Sequence, residues 1–322
     1  MSIGSKRESY IDSVAGLLTI HMILGHGIQW AHLTDSDGAY LFFQKVLGFF
    51  MLWFCFKAGL YFKPKPMLSL IQSSLHRLII PFLVFSAIGH VTWSCKMLLE
   101  GETSWKVFFY WPVIQLLNGG GINGNLPLWF LLTLFTARII FNRIANRKWF
   151  YLLIPIGLIP WALHWSGLVL PLYIANISMA VLFLGLAYLL RPYLQSKWII
   201  IIAPILYLAF MILLPTFVDM RSNRLLYGNY YLWYFVALSG IIVINTIFRL
   251  VPYNISILNN IGKNSMAYYC IHWIIITICQ IAFILIGVDN YGYVFIFVSM
   301  LMSFTLIPII VKLLEKNNLA FF

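Results

Sequence analysis

Charged side chains are scarce in this sequence of 322 residues, since only 9% of them are Asp, Glu, Lys or Arg. An average soluble domain carries roughly 25%. Hydrophobic residues instead make up 62% of the chain, and the mean hydropathy is +0.90. One soluble globule of this length cannot bury so much apolar surface, so the composition excludes a soluble domain and indicates the lipid bilayer as the surroundings.

Acidic residues are the scarcer charge, with 9 Asp and Glu against 21 Lys and Arg. The basic residues are scattered through short gaps instead of forming one patch, so no nucleic-acid partner is predicted. Cysteine is also rare, and its four positions have neither paired metal spacing nor a disulfide framework: Cys55, Cys95, Cys270 and Cys279. No metal site is predicted.

Long apolar stretches recur along the whole chain, and a spanning helix needs roughly 20 such residues. They predict an all-α integral membrane protein of about ten transmembrane helices, forming a single domain over residues 1–322. The predicted spans lie near 10–32, 41–62, 78–99, 126–144, 149–168, 171–190, 198–218, 230–250, 264–287 and 291–313.

The positions of the basic residues predict the topology. With a cytoplasmic N-terminus, most Lys and Arg residues fall in inner segments, as the positive-inside rule requires, and both termini are then cytoplasmic. The apolar stretch at 105–117 is too short to span and leads into the glycine-rich sequence NGGGINGN at 118–125. We expect residues 105–125 to form an interfacial or re-entrant segment on the outer side.

Ionisable residues inside spans cost about 2.5 to 3.5 kcal/mol each, so each one invites a functional hypothesis. His26 lies roughly 24 Å along the first helix from Tyr10, toward the outer face, and His21 roughly 16 Å along it. These two histidines are about 140° apart around the helix, which disfavours a metal pair. The candidates are Asp12, His21, His26, Lys45, Lys57, His90, His164 and His272.

Residue chemistry alone leaves alternatives open at these positions. His26 is either a structural imidazole bonded to a neighbouring helix or a functional group, and Gly25 and Gly27 favour function because they permit close approach. Asp12 is either a first-turn carboxylate that complements the helix dipole or the partner of an intramembrane cation. From the residues alone, enzyme and transporter remain comparable.

Five motifs, in order from residue 10 to residue 272, resemble those of the membrane acyltransferase 3 family. They read YIDSVAGLLTIHMILGH at 10–26, FFMLWFCFKAGL at 49–60, RLIIP at 77–81, LWFL at 128–131 and IGKNSMAYYCIH at 261–272. The family patterns are approximately I-D-x-[LIV]-[RK]-G with a later G-H, then F-x-M-P-L-F-F-x-x-S-G-F, R-L-x-x-P, L-W-F-L and I-G-x-x-S-[LM]-x-[IY]-Y-x-x-H.

The resemblance implies an O-acyltransferase of the bacterial inner membrane. It implies that acetyl-CoA, or another acyl-CoA, is the cytoplasmic donor and that a surface or exported polysaccharide, or its lipid-linked precursor, is the acceptor. His26 is then the catalytic histidine, as general base or acyl carrier, with Asp12 in the same motif. Arg77 either binds coenzyme A phosphates or only anchors the inner side. A homo-oligomer is compatible with the sequence.

The sequence departs from the family pattern at three positions. Ala15, Leu52 and Ala58 stand where the family has a basic residue, Pro and Ser. Lys57 either restores the missing cation or snorkels to the inner surface. The departures favour a competing hypothesis, a non-catalytic polysaccharide or lipid-linked glycan export component on the same fold. An ion-coupled transporter is less supported, since no inverted repeat is visible.

Further residues are predicted to contact substrate or line the pore: His21, Trp129, Ser265, Tyr268 and His272. His272 lies roughly 12 Å into its span and needs a polar partner. Ser265 and Tyr268 share its helix face, so a hydrogen-bonded cluster is expected.

Two groups of residues on the predicted outer side each have two possible interpretations. Trp129 is either a packing residue or a platform for an acceptor sugar. Arg221 and Arg224, with Asp219 beside them, form either a solvated loop or a contact for an anionic glycan.

Overall fold

The fold is given by a computed structural model that describes residues 8–31, 33, 45–145, 147–168, 170–250, 255–288 and 292–317. Within these residues, eight helices are long and apolar enough to cross a membrane, which supports the predicted all-α membrane protein. They are Ser9–Trp30, Met67–Leu99, Leu126–Ile144, Lys148–Ser166, Leu172–Leu190, Tyr230–Leu250, Ser265–Leu285 and Gly292–Lys316. The described residues also contain one two-stranded antiparallel hairpin.

The elements follow one another in this order: α1 Ser9–Trp30, α2 Phe50–Leu60, α3 Met67–Ser74, α4 Ile80–Leu99, α5 Trp111–Gly119, α6 Trp129–Ile144, α7 Leu153–Ser166, α8 Leu172–Leu190, α9 Lys197–Leu213, β1 Phe217–Asp219, β2 Arg224–Tyr227, α10 Tyr230–Leu250, α11 Ser256–Lys263, α12 Ser265–Leu285 and α13 Gly292–Lys316. Shorter 3-10 or π turns precede α4, α5, α6 and α7, at Leu75–Ile79, Lys106–Tyr110, Leu126–Leu128 and Arg147–Leu152.

The second predicted span, 41–62, is shorter in the structure. Residues 41–44 lie outside the described part of the chain, and residues 45–47 are helical. A turn at residues 48–49 then separates them from α2, which has 11 residues and is too short to cross a bilayer alone. The break brings Gly48 to the wall of a cavity described below.

The seventh predicted span, 198–218, also ends early. α9 stops at Leu213 after 17 residues, and residues 217–219 form strand β1 instead of the expected helix end. Pro215 is the physical reason, because the residue before a proline is disfavoured in the α region. Leu214 accordingly has φ −138° and ψ 56°.

The third predicted span, 78–99, belongs to a longer helical segment of 33 residues, Met67–Leu99. A π-helical turn, Leu75–Ile79, joins α3 to α4 within it. Pro81 follows that turn and has no N–H to donate to the carbonyl of Arg77, which loosens the regular α ladder there. Arg77 therefore lies in a widened turn, a type of irregularity that is frequent at functional sites.

The segment predicted at 105–125 is helical as far as Gly119, and its aromatic side chains Trp105 and Phe109 are exposed. Asn125, the last residue of the glycine-rich loop, is completely buried. Its Nδ2 donates to the carbonyl oxygens of Phe85 at 3.2 Å and Cys270 at 2.9 Å. The end of the loop is thus fixed between α4 and α12, while its interfacial or re-entrant depth stays a prediction.

Two glycines let α1 and α11 pack in direct backbone contact. A Cβ atom on Gly16 would lie 2.1 Å from the carbonyl oxygen of Leu258, and one on Gly262 would lie 1.8 Å from that of Asp12. Neither position has room for a side chain. This crossing holds α1, the helix that carries His21 and His26, in the middle of the bundle.

Candidate functional site

A cavity of about 320 Å³ surrounds the C-terminal half of α1. We call it the histidine cavity. Its walls come from α1, the start of α2, the turn before α6, the hairpin and α12. Its polar and aromatic lining residues are His21, His26, Gln29, Phe50, Trp129, Phe217, Asp219, Arg221, Tyr269 and Trp273.

His26 is held in place by one hydrogen bond and two ring contacts. Its Nδ1 lies 2.9 Å from Oε1 of Gln29, one turn later on α1. Its ring stacks on His272 with a centroid distance of 5.4 Å and an angle of 20°, and meets Trp273 edge-on at 4.9 Å. When Nδ1 donates to Gln29, Nε2 carries the lone pair and is the nitrogen that can accept a proton.

His272 is completely buried behind His26. Its Nδ1 lies 2.9 Å from the carbonyl oxygen of Tyr268 and 3.0 Å from that of Tyr269. A carbonyl oxygen only accepts, so Nδ1 carries the proton. Nε2 of His272 is buried and has no hydrogen-bond partner among the described residues.

The expected side-chain cluster of Ser265, Tyr268 and His272 is therefore wrong. The imidazole uses backbone carbonyls, because side chains on a helix point back over the preceding turn and reach the residues three and four positions earlier. Ser265 instead lines a second cavity, and the Tyr268 ring packs on Phe304 at 5.5 Å.

His21 reaches the histidine cavity from one turn deeper on α1. It is 6% exposed, and its ring meets Phe50 edge-on at 5.2 Å. His21 and His26 line the same cavity despite their angular separation, since the cavity extends around this face of α1. The two histidines act as separate groups in its wall.

The hairpin closes one side of the histidine cavity and presents Arg221. The Asp219 carboxylate accepts hydrogen bonds from the backbone N–H of Arg221 at 3.1 Å and from the Ser222 hydroxyl at 2.6 Å. The carboxylate is thus engaged by its own turn, which leaves the Arg221 guanidinium as the cation of this wall. Burial lowers the pKa of Arg221, and nearby Asp219 opposes that shift.

A second cavity, of about 450 Å³, lies around the end of α2 and the start of α12. We call it the basic cavity. No carboxylate is found among its lining residues in the described part of the chain. Its five cationic lining residues are Lys57, Lys63, Lys65, Arg77 and Arg138.

Three of these cations come from one short stretch of chain. Lys57 lies in the last turn of α2 with its ammonium 5.6 Å from the Trp53 ring centroid. Lys63 and Lys65 follow in the loop, where the backbone N–H of Lys65 donates to Oδ1 of Asn142 at 3.1 Å. Asn142 Nδ2 returns a bond to the Lys65 carbonyl at 3.0 Å, so α6 fixes the loop.

The other two cations come from helices that lie further along the chain. Arg77 is in the π turn before α4, and Arg138 is on α6. By sequence, these two arginines and Lys63 and Lys65 belong to the inner-segment basic residues that predict the topology, and Lys63, Lys65 and Arg138 have no further predicted role. The repeated Lys-Pro at 63–66 was the available signal for a fixed basic loop.

The two cavities meet at Met22 and Tyr269, which line both of them. The first turn of α6 also borders both cavities, because Trp129 lines the histidine cavity and Phe130 lines the basic cavity. Tyr269 is absent from the residues predicted from sequence. The sequence indicates a role for Tyr269 only through its position one turn before His272. That position becomes informative only once the packing of the helices is known.

Three predicted site residues line neither cavity. His272, predicted to contact substrate or line the pore, is instead completely buried behind His26. Asp12 is buried in the first turn of α1, fourteen positions before His26, which corresponds to about 21 Å along the helix. Asp12 therefore cannot contact the group that reacts at His26. Tyr268 lines a separate groove with Ile257 and Phe304. The structure brings together His21, His26 and Trp129 in one cavity and Lys57, Arg77 and Ser265 in the other.

Comparison of the chain with models of known protein families, with curated proteins and with solved structures finds no match. The resemblance to the membrane acyltransferase 3 family therefore rests on the five sequence motifs alone.

Proposed function

We propose that this protein is a membrane O-acyltransferase that moves an acyl group, acetyl in the simplest case, from acyl-CoA to a carbohydrate hydroxyl. One observation supports the proposal most: a cavity lined by five cations adjoins a cavity that contains His26, and the two share Met22 and Tyr269. A donor with a phosphate end and a reactive thioester end fits this arrangement.

The basic cavity suits the phosphates of coenzyme A. Arg77 and Arg138 offer forked N–H donors that match phosphate oxygens, and the lysines add positive charge. The lining includes Ala58, at the position where the family has Ser. It also includes the neighbouring Lys57, which supplies a cation. In this arrangement the thioester end of the donor points toward Tyr269 and the histidine cavity.

His26 suits the role of general base toward the acceptor. Nε2 takes the proton of the sugar hydroxyl as its oxygen attacks the thioester carbonyl carbon. The new C–O bond forms, the C–S bond breaks, and the coenzyme A thiolate receives the proton back from the imidazolium. Gln29 holds the ring orientation through Nδ1. In the other role, as acyl carrier, Nε2 of His26 would attack the thioester carbonyl carbon, and the C–S bond would break with release of the coenzyme A thiolate. The sugar hydroxyl would then attack the acyl-imidazole, the bond from the acyl carbon to Nε2 would break, and the hydroxyl proton would pass to the thiolate.

The acceptor enters from the side of the hairpin in this proposal. Trp129 offers a ring on which a sugar stacks, and Arg221 offers a cation for an acidic group. The proposed acceptor is a surface or exported polysaccharide or its lipid-linked precursor. The proposal includes about ten crossings, with α2 and α9 contributing, cytoplasmic termini and a bacterial inner membrane.

The competing proposal is a non-catalytic export component, supported by the three departures from the family motifs. Ala15 is fully buried and does not line the basic cavity in the described residues. Five other cations already line that cavity, so the loss of a basic residue at position 15 does not leave it uncharged.

The test is release of free coenzyme A from acetyl-CoA by the purified protein in detergent, with and without an extract of surface glycans. We expect glycan-dependent release that falls at least about 100-fold in His26→Ala, because a general base contributes roughly 10² to 10⁴. His164→Ala, an exposed histidine stacked on Tyr230, is the matched control and should leave the rate unchanged.

Two results would count against the enzyme. The first is that wild-type protein neither binds donor nor releases coenzyme A, although another acyltransferase of the family is active in the same assay. That result would favour the export component. The second is full activity of His26→Ala. That result would mean that the proposed base takes no part in the reaction.

A further inference from the structure

Tyr269 lies at the junction of the two cavities and lines both of them. Tyr269 is 8% exposed, and its hydroxyl makes no hydrogen bond of normal geometry with any described residue. The backbone N–H of Phe130 approaches its oxygen, which leaves the O–H proton uncommitted. Most buried polar side-chain atoms have a partner, so a buried hydroxyl with an uncommitted proton calls for an explanation.

The position of this hydroxyl is fixed relative to His26. The Tyr269 ring meets Phe130 edge-on at 6.0 Å, and the Tyr269 carbonyl accepts the hydrogen bond from His272 Nδ1 at 3.0 Å. His272 in turn stacks on His26. Tyr269, His272 and His26 thus form a continuous, packed series from the junction to the proposed base.

We propose that Tyr269 is a catalytic hydrogen-bond donor to the carbonyl oxygen of the acyl thioester. This inference rests on the proposed acyl transfer. When the acceptor oxygen attacks, the carbonyl oxygen gains negative charge, and the Tyr269 O–H stabilises it while keeping its own proton. The charge returns to the carbonyl as the C–S bond breaks, so Tyr269 is unchanged at the end of the reaction.

The location supports this role. A thioester that reaches from the basic cavity toward His26 must pass the only two residues lining both cavities in the described chain, and Met22 has no donor. Arg221 lines the histidine cavity together with Tyr269. A positive charge there favours the same developing oxyanion.

The adjacent residue offers a matched control. Tyr268 is also buried, at 3% exposure, but its ring packs on Phe304 outside both cavities. Tyr268→Phe and Tyr269→Phe each remove one phenolic oxygen from neighbouring positions of α12. A general effect on packing should therefore appear in both variants.

The experiment measures kcat for glycan-dependent release of coenzyme A, the Kd for acetyl-CoA and the melting temperature of wild type and both variants. We expect Tyr269→Phe to lower kcat about 100-fold, as removal of one oxyanion donor does. Its donor Kd should stay within about twofold of wild type, since the donor is held by the phosphates. Tyr268→Phe should match wild type in kcat.

A kcat for Tyr269→Phe within about threefold of wild type would overturn the inference and leave the proposed function standing. Equal losses in both variants would also overturn it, because they indicate packing. Wild type with no release would refute the proposed function, and the inference with it.

Fluorotyrosines incorporated at position 269 keep the ring and the hydroxyl, which covers the case in which Tyr269→Phe does not fold. They change the acidity of the phenol, so kcat should vary along the series. A constant kcat across the series would overturn the inference.

Discussion

The two cavities differ in what their walls offer a ligand. The basic cavity has five cations and no carboxylate among its described lining residues. The histidine cavity has two imidazoles, several aromatic rings and one cation, Arg221, next to Asp219. The two cavities therefore suit different tasks. The basic cavity offers electrostatic affinity for an anion, and the histidine cavity offers a base and a wall of aromatic rings.

Variants in the basic cavity should therefore change donor affinity, and variants in the histidine cavity should change turnover or acceptor use. The largest effect on affinity is expected from removing two guanidiniums together. Arg77→Gln with Arg138→Gln should weaken acetyl-CoA binding about 100-fold, because each charge-assisted hydrogen bond contributes about 1.5 kcal/mol. Calorimetric titration of the purified protein measures this change.

The control for that pair removes two charges outside both cavities. Arg143→Gln with Lys148→Gln changes exposed residues of α6 and the turn that follows it. Equal weakening of acetyl-CoA binding in both double variants would mean that the affinity comes from the overall charge of the protein. It would contradict donor binding in the basic cavity.

A smaller effect, about tenfold in donor Kd, is expected from Lys57→Ala. Lys57 lines the basic cavity from α2, where one charge-assisted contact of about 1.4 kcal/mol is at stake. Lys45→Ala is the control, since Lys45 lies over the Tyr227 ring on the hairpin side. An unchanged Kd for Lys57→Ala would indicate a lysine that only snorkels to the inner surface.

In the histidine cavity, Arg221→Gln should raise the KM for an acidic glycan acceptor about fivefold, an effect of about 1 kcal/mol. The donor Kd should not change. Arg224→Gln, in β2 and outside the cavity lining, serves as the control. A shift in donor Kd with Arg221→Gln would mean that the two cavities are not functionally separate.

The smallest expected effect is that of salt. Raising the NaCl concentration from about 50 to about 200 mM should weaken donor binding about threefold, because the ions screen the attraction between lysines and phosphates. Binding of a neutral glycan acceptor should respond much less. Equal salt dependence of both ligands would contradict the proposed division between the cavities.

The sequence predicts single helices better than it predicts how they meet. His26 and His21 were identified because an ionisable group in an apolar helix is conspicuous, and Arg77 and Lys57 because they fall in motifs or at span ends. Lys63, Lys65 and Arg138 were interpreted only as topology signals. Their convergence on one cavity depends on the packing of α2, the loop after it and α6.

Two other features depend on distant contacts. The hairpin at 217–227 is a local break caused by Pro215, yet its position over His26 depends on contacts made elsewhere: Asn176 Nδ2, on α8, donates to the Arg221 carbonyl at 3.2 Å. Tyr269 looks like one more aromatic residue of an apolar helix until the two cavities are known. Conversely, Asp12 shares a motif with His26, but the rise of the helix keeps them apart.

The most direct measurement of the central claim is acyl transfer across a sealed bilayer. The protein is reconstituted in liposomes of known orientation, with acetyl-CoA only on the side of Lys63 and Lys65 and glycan acceptor only on the side of Arg221. Transfer through the junction should give acetylated glycan on the acceptor side and free coenzyme A on the donor side. Product that forms only when both substrates are on the same side would contradict transfer through the junction at Tyr269.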